Sequence, residues 1–174
     1  MATTLDKTSP IVIRTAEPQD CAQVYKLMRE LAVHLKCEQD MKLTIEQFYK
    51  DVFEDKPVCY CIVATTAGDP STIVGYSLYF HTYYYLAGFS ISMENLYVSQ
   101  SHRGKGIGKM LWQEVTRRGL EMGSNGTLIF VDNWNKPTKD WYMKHGCVDY
   151  TESKDQHYMH FSRKAMEVFI KNGQ

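Results

Sequence analysis

One stretch constrains this chain more than any other. Ile91 to Val98 reads as a strand, and three glycines follow at alternate positions, Gly104, Gly106 and Gly108. Ile107, Met110, Leu111, Val115 and Met122 then recur at helical spacing over about 106–122. A strand that runs through a glycine-rich turn into a helix leaves backbone N–H groups uncovered at the positive end of the helix dipole. That is an anion site, and a diphosphate is its natural occupant. The spacing is not that of a nucleotide loop. No Lys-Ser/Thr pair closes the turn, and Lys109 and Leu111 stand where Gly-x-Gly-x-x-Gly would need its third glycine.

Around this unit the chain alternates between strands and helices. Ile11 to Arg14 is a short β-branched strand, and Pro18 sits near the start of a helix with the stripe Val24, Leu27, Met28, Leu31 and Leu35. Thr44-x-x-Gln47 is a capping box, with Leu43 and Phe48 as its staple, for a helix over roughly 44–54. Val58 to Ala64 and Ile73 to His81 are strands joined by a turn containing Gly68, Asp69 and Pro70; Tyr83 to Gly88 reads as an aromatic loop. Gly123 and Asn125-Gly126 end the long helix, before a buried strand from Thr127 to Val131. Asn135 can cap a helix with Pro137 in its first turn, carrying Trp141 and Tyr142. Cys147 to Tyr150 and His157 to Phe161 read as closing strands, with a short helix over about 163–171. The order β-α-α-β-β-β-α-β-α-β-β is that of a mixed α/β sheet covered by helices. At 174 residues this is one domain, 11–174, behind a polar, mobile arm, 1–10.

Composition narrows the function. Lys+Arg and Asp+Glu both number 20, so the basic excess of a nucleic-acid binder is missing. A disordered chain is excluded by 44% hydrophobic and 13% aromatic residues. No apolar run reaches the ~18 residues of a membrane span, and the first ten residues lack a leader's apolar stretch; the expectation is a cytoplasmic protein. Cys21, Cys37, Cys59, Cys61 and Cys147 form an odd, scattered set, unlike a disulfide framework. Cys59-x-Cys61 has no second pair, so no metal is expected, and Asn125-Gly126-Thr127 reads as a turn rather than a glycosylation site.

Arg103-x-x-Gly106-x-Gly108, placed between strand and helix, resembles the acetyl-CoA pyrophosphate loop of the GNAT family of N-acetyltransferases. The similarity covers roughly 11–165. It extends to Ile13-Arg14-x-Ala16, Arg29-Glu30-Leu31-Ala32, Ile73-Val74-Gly75-Tyr76, Met93 to Val98, and Trp134-Asn135-x-Pro137 with Tyr142-x-x-x-Gly146. Within the family, the diamine acetyltransferases of the spermidine/spermine and thialysine type are nearest in pattern. The resemblance implies the GNAT fold, a mixed, mostly antiparallel central sheet flanked by helices. It also implies acetyl-CoA as cosubstrate, no metal, and direct attack by a primary amine in a ternary complex.

The same resemblance assigns residues. Arg103, Gly104, Lys105, Gly106, Ile107, Gly108 and Lys109 hold the diphosphate. Leu96, Tyr97 and Val98 lie along the pantetheine arm, where a bulge frees a backbone N–H to polarise the thioester carbonyl; Leu96 and Val98 read equally well as strand core. Glu94 takes the amine's proton, directly or through water. Tyr142 protonates the departing thiolate, and Asn135 is a helix cap, a cofactor partner or both. This chain also departs from the polyamine enzymes. His81 to Leu86 holds no carboxylate, the first helix ends His34-Leu35, and Asn95 stands where an Asp is usual. The acceptor side then consists of His34, Leu35, Glu38, Tyr83, Tyr84 and Glu94, with Asp40 nearby, and a cation can rest on tyrosine faces. Tyr83 to Tyr85 can instead pack under the partner of a homodimer. The acceptor expected is a small primary amine, thialysine-like or aromatic, rather than spermine. A non-catalytic acetyl-CoA-binding module and an enzyme acting on a protein amine are the alternatives.

Overall fold

Apolar alternation in the strand segments builds a five-stranded sheet in the order β1-β2-β3-β4-β5. In the computed structural model, which describes residues 10–151 with Arg163, Ala165, Met166 and Val168, β1 (Ile11–Thr15), β2 (Tyr60–Thr66), β3 (Asp69–Tyr84) and β4 (Gly88–Val98) pair antiparallel in turn. β5 (Thr127–Ile129) joins β4 in parallel, and the crossover this requires is α3 (Ile107–Glu121). Compact units run to Phe130 and from Val131; α4 (Lys136–Lys144) lies in the second.

The first unit has two cores, one on each face of the sheet. α1 (Cys21–His34) and α2 (Ile45–Phe53) bury Val24, Leu27, Met28 and Phe48 with Val63, Tyr76, Leu78 and Tyr97. α3 buries Ile107, Leu111 and Val115 with Ile62, Val74, Tyr79, Ile91 and Val98. Each fully buried aliphatic or aromatic side chain contributes about 1.5–3 kcal/mol.

Local chemistry sets the helix starts. Thr44 Oγ1 accepts from the N–H of Gln47 at 3.2 Å, as a cap should, and Phe48 beyond it is buried. Pro18 opens a single 3-10 turn, Pro18–Asp20, before α1. Asp20 is buried, and burial alone would raise its pKa. Two hydrogen bonds from the Arg14 guanidinium and one from the Glu17 N–H outweigh that, and the carboxyl sits below its ordinary value.

Three expectations need correction. Tyr83 and Tyr84 are not in a loop: they extend β3 and pair with Phe89 and Gly88, so the aromatic run is a hairpin tip. Tyrosine suits a strand, and only Tyr85–Ala87 is left to turn, closed by Ala87 N–H donating to the Tyr84 carbonyl at 2.9 Å. The strand expected from Thr127 to Val131 is shorter and half-buried, and its ladder ends at Met93–Ile129. Cys147 to Tyr150 forms no strand. Gly146, at φ +95°, ends α4, and the Asp149 carboxylate accepts from the Thr151 N–H, opening a helical turn at Tyr150. His157 to Phe161 and the arm before Pro10 lie outside the described residues; Arg163, Ala165, Met166 and Val168 are helical, as expected.

Candidate active site

The site is organised by a defect in β4. Leu78 pairs with Asn95 but Tyr79 pairs with Met93, so Glu94 is an extra residue, a β-bulge. The bulge resets which side chains face which core. Ile91 precedes it and Val98 follows it, and both face α3 although one is odd-numbered and the other even; Leu96 packs there too. Phe89, Ile91 and Met93 followed by Leu96 and Val98 make a change of parity, the sequence signal that locates a bulge at this point. It sits earlier than expected, at Glu94 rather than at Leu96 to Val98. β5 pairs only with Ile91, Ser92 and Met93. Among the described residues, the β5-side edge of β4 from Glu94 to Val98 therefore has no strand partner.

That free edge leads into the glycine turn. A 3-10 turn, Gln100–His102, is followed by Gly104 at φ +76° and Gly106 at φ +77°, the left-handed region that favours glycine. Gly106 is the N-cap of α3, and an added Cβ at either glycine would meet nothing within 4 Å. The turn is thus an open cradle at a helix N-terminus. Gly108 differs: a Cβ there would make an ordinary contact with Leu96 at 3.4 Å, so the packing of α3 on β4 does not itself require glycine. Ile107 is buried in the α3 core, which leaves its backbone as its means of reaching a ligand. Lys105 and Lys109 are exposed. Arg103 is anchored, its Nε donating to the Val98 carbonyl at 3.0 Å and its guanidinium 5.1 Å above the Tyr97 ring. Tyr97 itself is buried against α1, its hydroxyl 3.5 Å from Glu30, so only its backbone belongs to the free edge. Gly75, within the Ile73-Val74-Gly75-Tyr76 match, has a packing reason that spacing does not show: a Cβ there would lie 2.9 Å from the Tyr97 carbonyl.

On the other face, a pocket of about 240 Å³ opens between the end of α1, the following loop and β4. Met28, Leu31, Leu35 and Met41 give it apolar walls, and Asp40 and Asn95 are polar members of its lining. Leu35 and Asp40 were expected on this side; Asn95 was noted only as a departure. Glu94, beside Asn95, is exposed. Glu38 is already paired with Arg29 at 2.8 Å, and His34 is exposed on the last turn of α1. Tyr83 and Tyr84 are not brought here. Tyr83 pairs with Phe89, and at about 3.3 Å per residue that is roughly 16 Å along β4 from Glu94.

The second unit holds the other two candidates. Asn135 is the N-cap of α4 by position, its carbonyl accepting from the Thr138 and Lys139 N–H groups at 3.1 Å, yet its side chain makes no cap hydrogen bond. Tyr142 is buried, with the Trp141 ring edge-on at 5.2 Å. Burial, helped by Cys147, pushes its phenol up to about 12. Among the described residues there is no group of three or more His, Cys, Asp or Glu placed to hold a metal, and no helix long and apolar enough to cross a membrane.

This architecture is shared. An integron cassette protein from the mobile metagenome of V. cholerae superposes with a TM-score of 0.71 at 18% identity, covering 92% of this chain and 98% of its own. An aminoglycoside acetyltransferase from an uncultured soil sample superposes at 0.66, also at 18% identity, with 87% and 94% covered. Similarity in sequence is more specific. Thialysine N-epsilon-acetyltransferase of Bos taurus is 34% identical over 161 residues, 90% of this chain and 95% of that protein. The spermidine/spermine N(1)-acetyltransferase-like protein 1 of Homo sapiens is 29% identical over 88% of this chain but 23% of its own length. The profile of the Acetyltransferase (GNAT) family matches residues 21–147, the span that holds the bulged strand, the glycine turn and Tyr142. The chain belongs to the acetyltransferase (GNAT) family and is an N-acetyltransferase.

Proposed function

We propose that this enzyme transfers the acetyl group of acetyl-CoA to the primary amine of a small molecule, by direct attack in a ternary complex. One observation carries the reading: the unpaired edge of β4 runs straight into an open, left-handed glycine turn at the N-terminus of α3. The residues present fit the cosubstrate. The backbone of Gly104 to Lys109, with the lysine charges, suits a diphosphate. The edge from Leu96 to Val98 offers the backbone donors and acceptors that an amide-bearing pantetheine arm needs, including a donor for the thioester oxygen. Arg103 holds that edge to the turn, and the Asn135 side chain, which makes no cap hydrogen bond, is proposed as a cosubstrate partner on the family pattern. Acetyl-CoA supplies an activated acyl group and a thiolate leaving group.

An ammonium ion has no lone pair, so the acceptor must lose a proton before it attacks, and Glu94 is the base. Tyr142 serves the leaving sulfur. Its acidity does not drive a proton transfer, because a thiol titrates near 8.5 and even an ordinary phenol near 10 is the weaker acid. The hydroxyl instead donates a hydrogen bond as charge develops on sulfur.

The apolar walls of the pocket favour an acceptor with a compact apolar body, thialysine-like or aromatic. A long polyamine would find the carboxylate of Glu38 already engaged by Arg29. The name of the bovine relative points to the same class. We further infer a cytoplasmic homodimer, in keeping with five free cysteines and with the exposed Tyr83 and Tyr85 at the hairpin tip.

Thiol release with acetyl-CoA and a panel of thialysine, an aromatic amine, spermidine and spermine tests the reading, beside calorimetry with acetyl-CoA, CoA and ATP. Thialysine or the aromatic amine should lead in kcat/KM, and ATP should not bind. A tenfold lead for spermine would overturn the acceptor class. Acetyl-CoA binding without thiol release from any amine would leave a binding module.

A further inference from the structure

Tyr76 lies mid-strand in β3, paired with Val63 on one side and Tyr97 on the other. It is 0% exposed, and its buried hydroxyl has no hydrogen-bond partner among the described residues. Such an orphan is uncommon, and phenylalanine would fill the same space without the desolvation penalty. Leu78 pairs with Asn95, so Tyr76 and Asn95 are diagonal neighbours across the β3–β4 ladder, and Glu94 is the bulged residue next to Asn95. The charge of Glu94 is felt here: after burial and alongside Cys61 and Tyr97, it contributes to raising the pKa of Tyr76, and after burial and Asp51 it does the same for Cys59. The ionisable groups facing the phenol are Cys61 from β2 and Tyr97 and Glu94 from β4, while α1 sends Glu30 to the Tyr97 hydroxyl. The Glu94 carboxylate, for its part, has no hydrogen bond or ion pair among the described residues. A donor without an acceptor thus sits one diagonal step across the ladder from Asn95, whose neighbour Glu94 has a carboxylate without a donor among the described residues.

We propose that Tyr76 is a positioning residue, whose hydroxyl donates to the Glu94 carboxylate when the acceptor is bound and so fixes the base against the amine. The inference rests on Glu94 being that base. The phenol keeps its proton throughout, and the second carboxylate oxygen takes the proton of the ammonium.

The test is acetylation of thialysine by the wild type, Tyr76→Phe, Glu94→Gln and the double variant, with kcat and KM followed across pH and melting temperature recorded. Tyr76→Phe should melt no lower than the wild type. Its kcat should fall about tenfold, the loss of one charge-assisted hydrogen bond, with the KM for acetyl-CoA unchanged. The acidic limb of its pH profile should move up, because a carboxylate that loses a donor titrates higher. In the Glu94→Gln background the same substitution should do nothing further. A Tyr76→Phe enzyme with wild-type kcat and pH profile overturns the proposal, and so do additive losses in the double variant. Full activity in Glu94→Gln alone removes the base assignment, and the positioning role falls with it.

Discussion

β4 is two strands in one. From Gly88 to Met93 it is paired with β3, and at Ile91 to Met93 with β5 as well; Ile91, Ser92 and Met93 are all buried. From Glu94 to Val98 it keeps β3 alone among the described residues, exposes Glu94, borders a pocket at Asn95 and ends at the glycine turn. A backbone that must bind a substrate cannot also be satisfied by a neighbouring strand. The bulge resolves the conflict, for it keeps Leu96 and Val98 in the α3 core after the change of partner. The first half is thus read as stability and the second as chemistry, and substitutions in each should fail in different ways.

The largest effect is expected at the bulge. Glu94→Gln keeps the size of the side chain but removes the carboxylate proposed as the base, and kcat should fall about 10²–10⁴-fold at unchanged melting temperature. Three residues earlier the pattern should reverse. Ile91 is fully buried and packs so closely on α3 that a Cβ at Gly119 would come within 3.1 Å of it. Ile91→Ala should cost about 2–5 kcal/mol of stability, measured by denaturant unfolding, with kcat per folded molecule intact. A normal melting curve for Ile91→Ala, or an unfolded Glu94→Gln, would break the comparison.

Tyr142 asks whether the chemistry extends beyond β4. With the phenol at about 12, donating its proton to a thiolate near 8.5 would be uphill by roughly 5 kcal/mol. A charge-assisted hydrogen bond is worth about 1.5–3 kcal/mol, so Tyr142→Phe should lower kcat about 10–100-fold while acetyl-CoA affinity holds. If chemistry limits the rate, a stable Phe variant with wild-type kcat makes Tyr142 a packing residue only.

Much of this was legible in the residues, and the misses have physical causes. The strand–turn–helix unit around Arg103 to Gly108 is specified locally, by left-handed glycines and helical spacing, so it could be read directly. Thr44 was legible for the same reason. The aromatic run Tyr83 to Tyr85 was misread because hairpin tip and loop have the same composition, and only the pairing with Phe89 and Gly88 separates them. Cys147 to Tyr150 looked like a strand by propensity, yet Gly146 and Asp149 impose turns on it. Arg103 reads as a ligand for diphosphate, and spacing alone does not show that its Nε also donates to the Val98 carbonyl. That bond, the pairing of Glu38 with Arg29 and the solitary hydroxyl of Tyr76 all depend on which residues become neighbours, and spacing along the chain carries no such information.

The smallest effect belongs to the turn, where charge and backbone strain can be separated. Gly106 has φ +77°, so any side chain there is strained, by about 1–2 kcal/mol, with Asn and Asp among the most tolerant. Space is not the obstacle, since a Cβ would meet nothing within 4 Å. Gly106→Asn and Gly106→Asp therefore share strain and size and differ in charge. If the turn cradles a diphosphate, the carboxylate is repelled and the amide is not. Acetyl-CoA affinity should fall at least tenfold in Asp relative to Asn, about 1.4 kcal/mol. The gap should narrow as salt is added, because the site is exposed and its charges are screened. 3′-Phosphoadenosine, which lacks both the diphosphate and the pantetheine arm, should bind more weakly and show a smaller gap between the two variants. Equal affinities for the Asp and Asn variants would move the diphosphate away from α3, and the second half of β4 would lose the anchor that makes its free edge a substrate site.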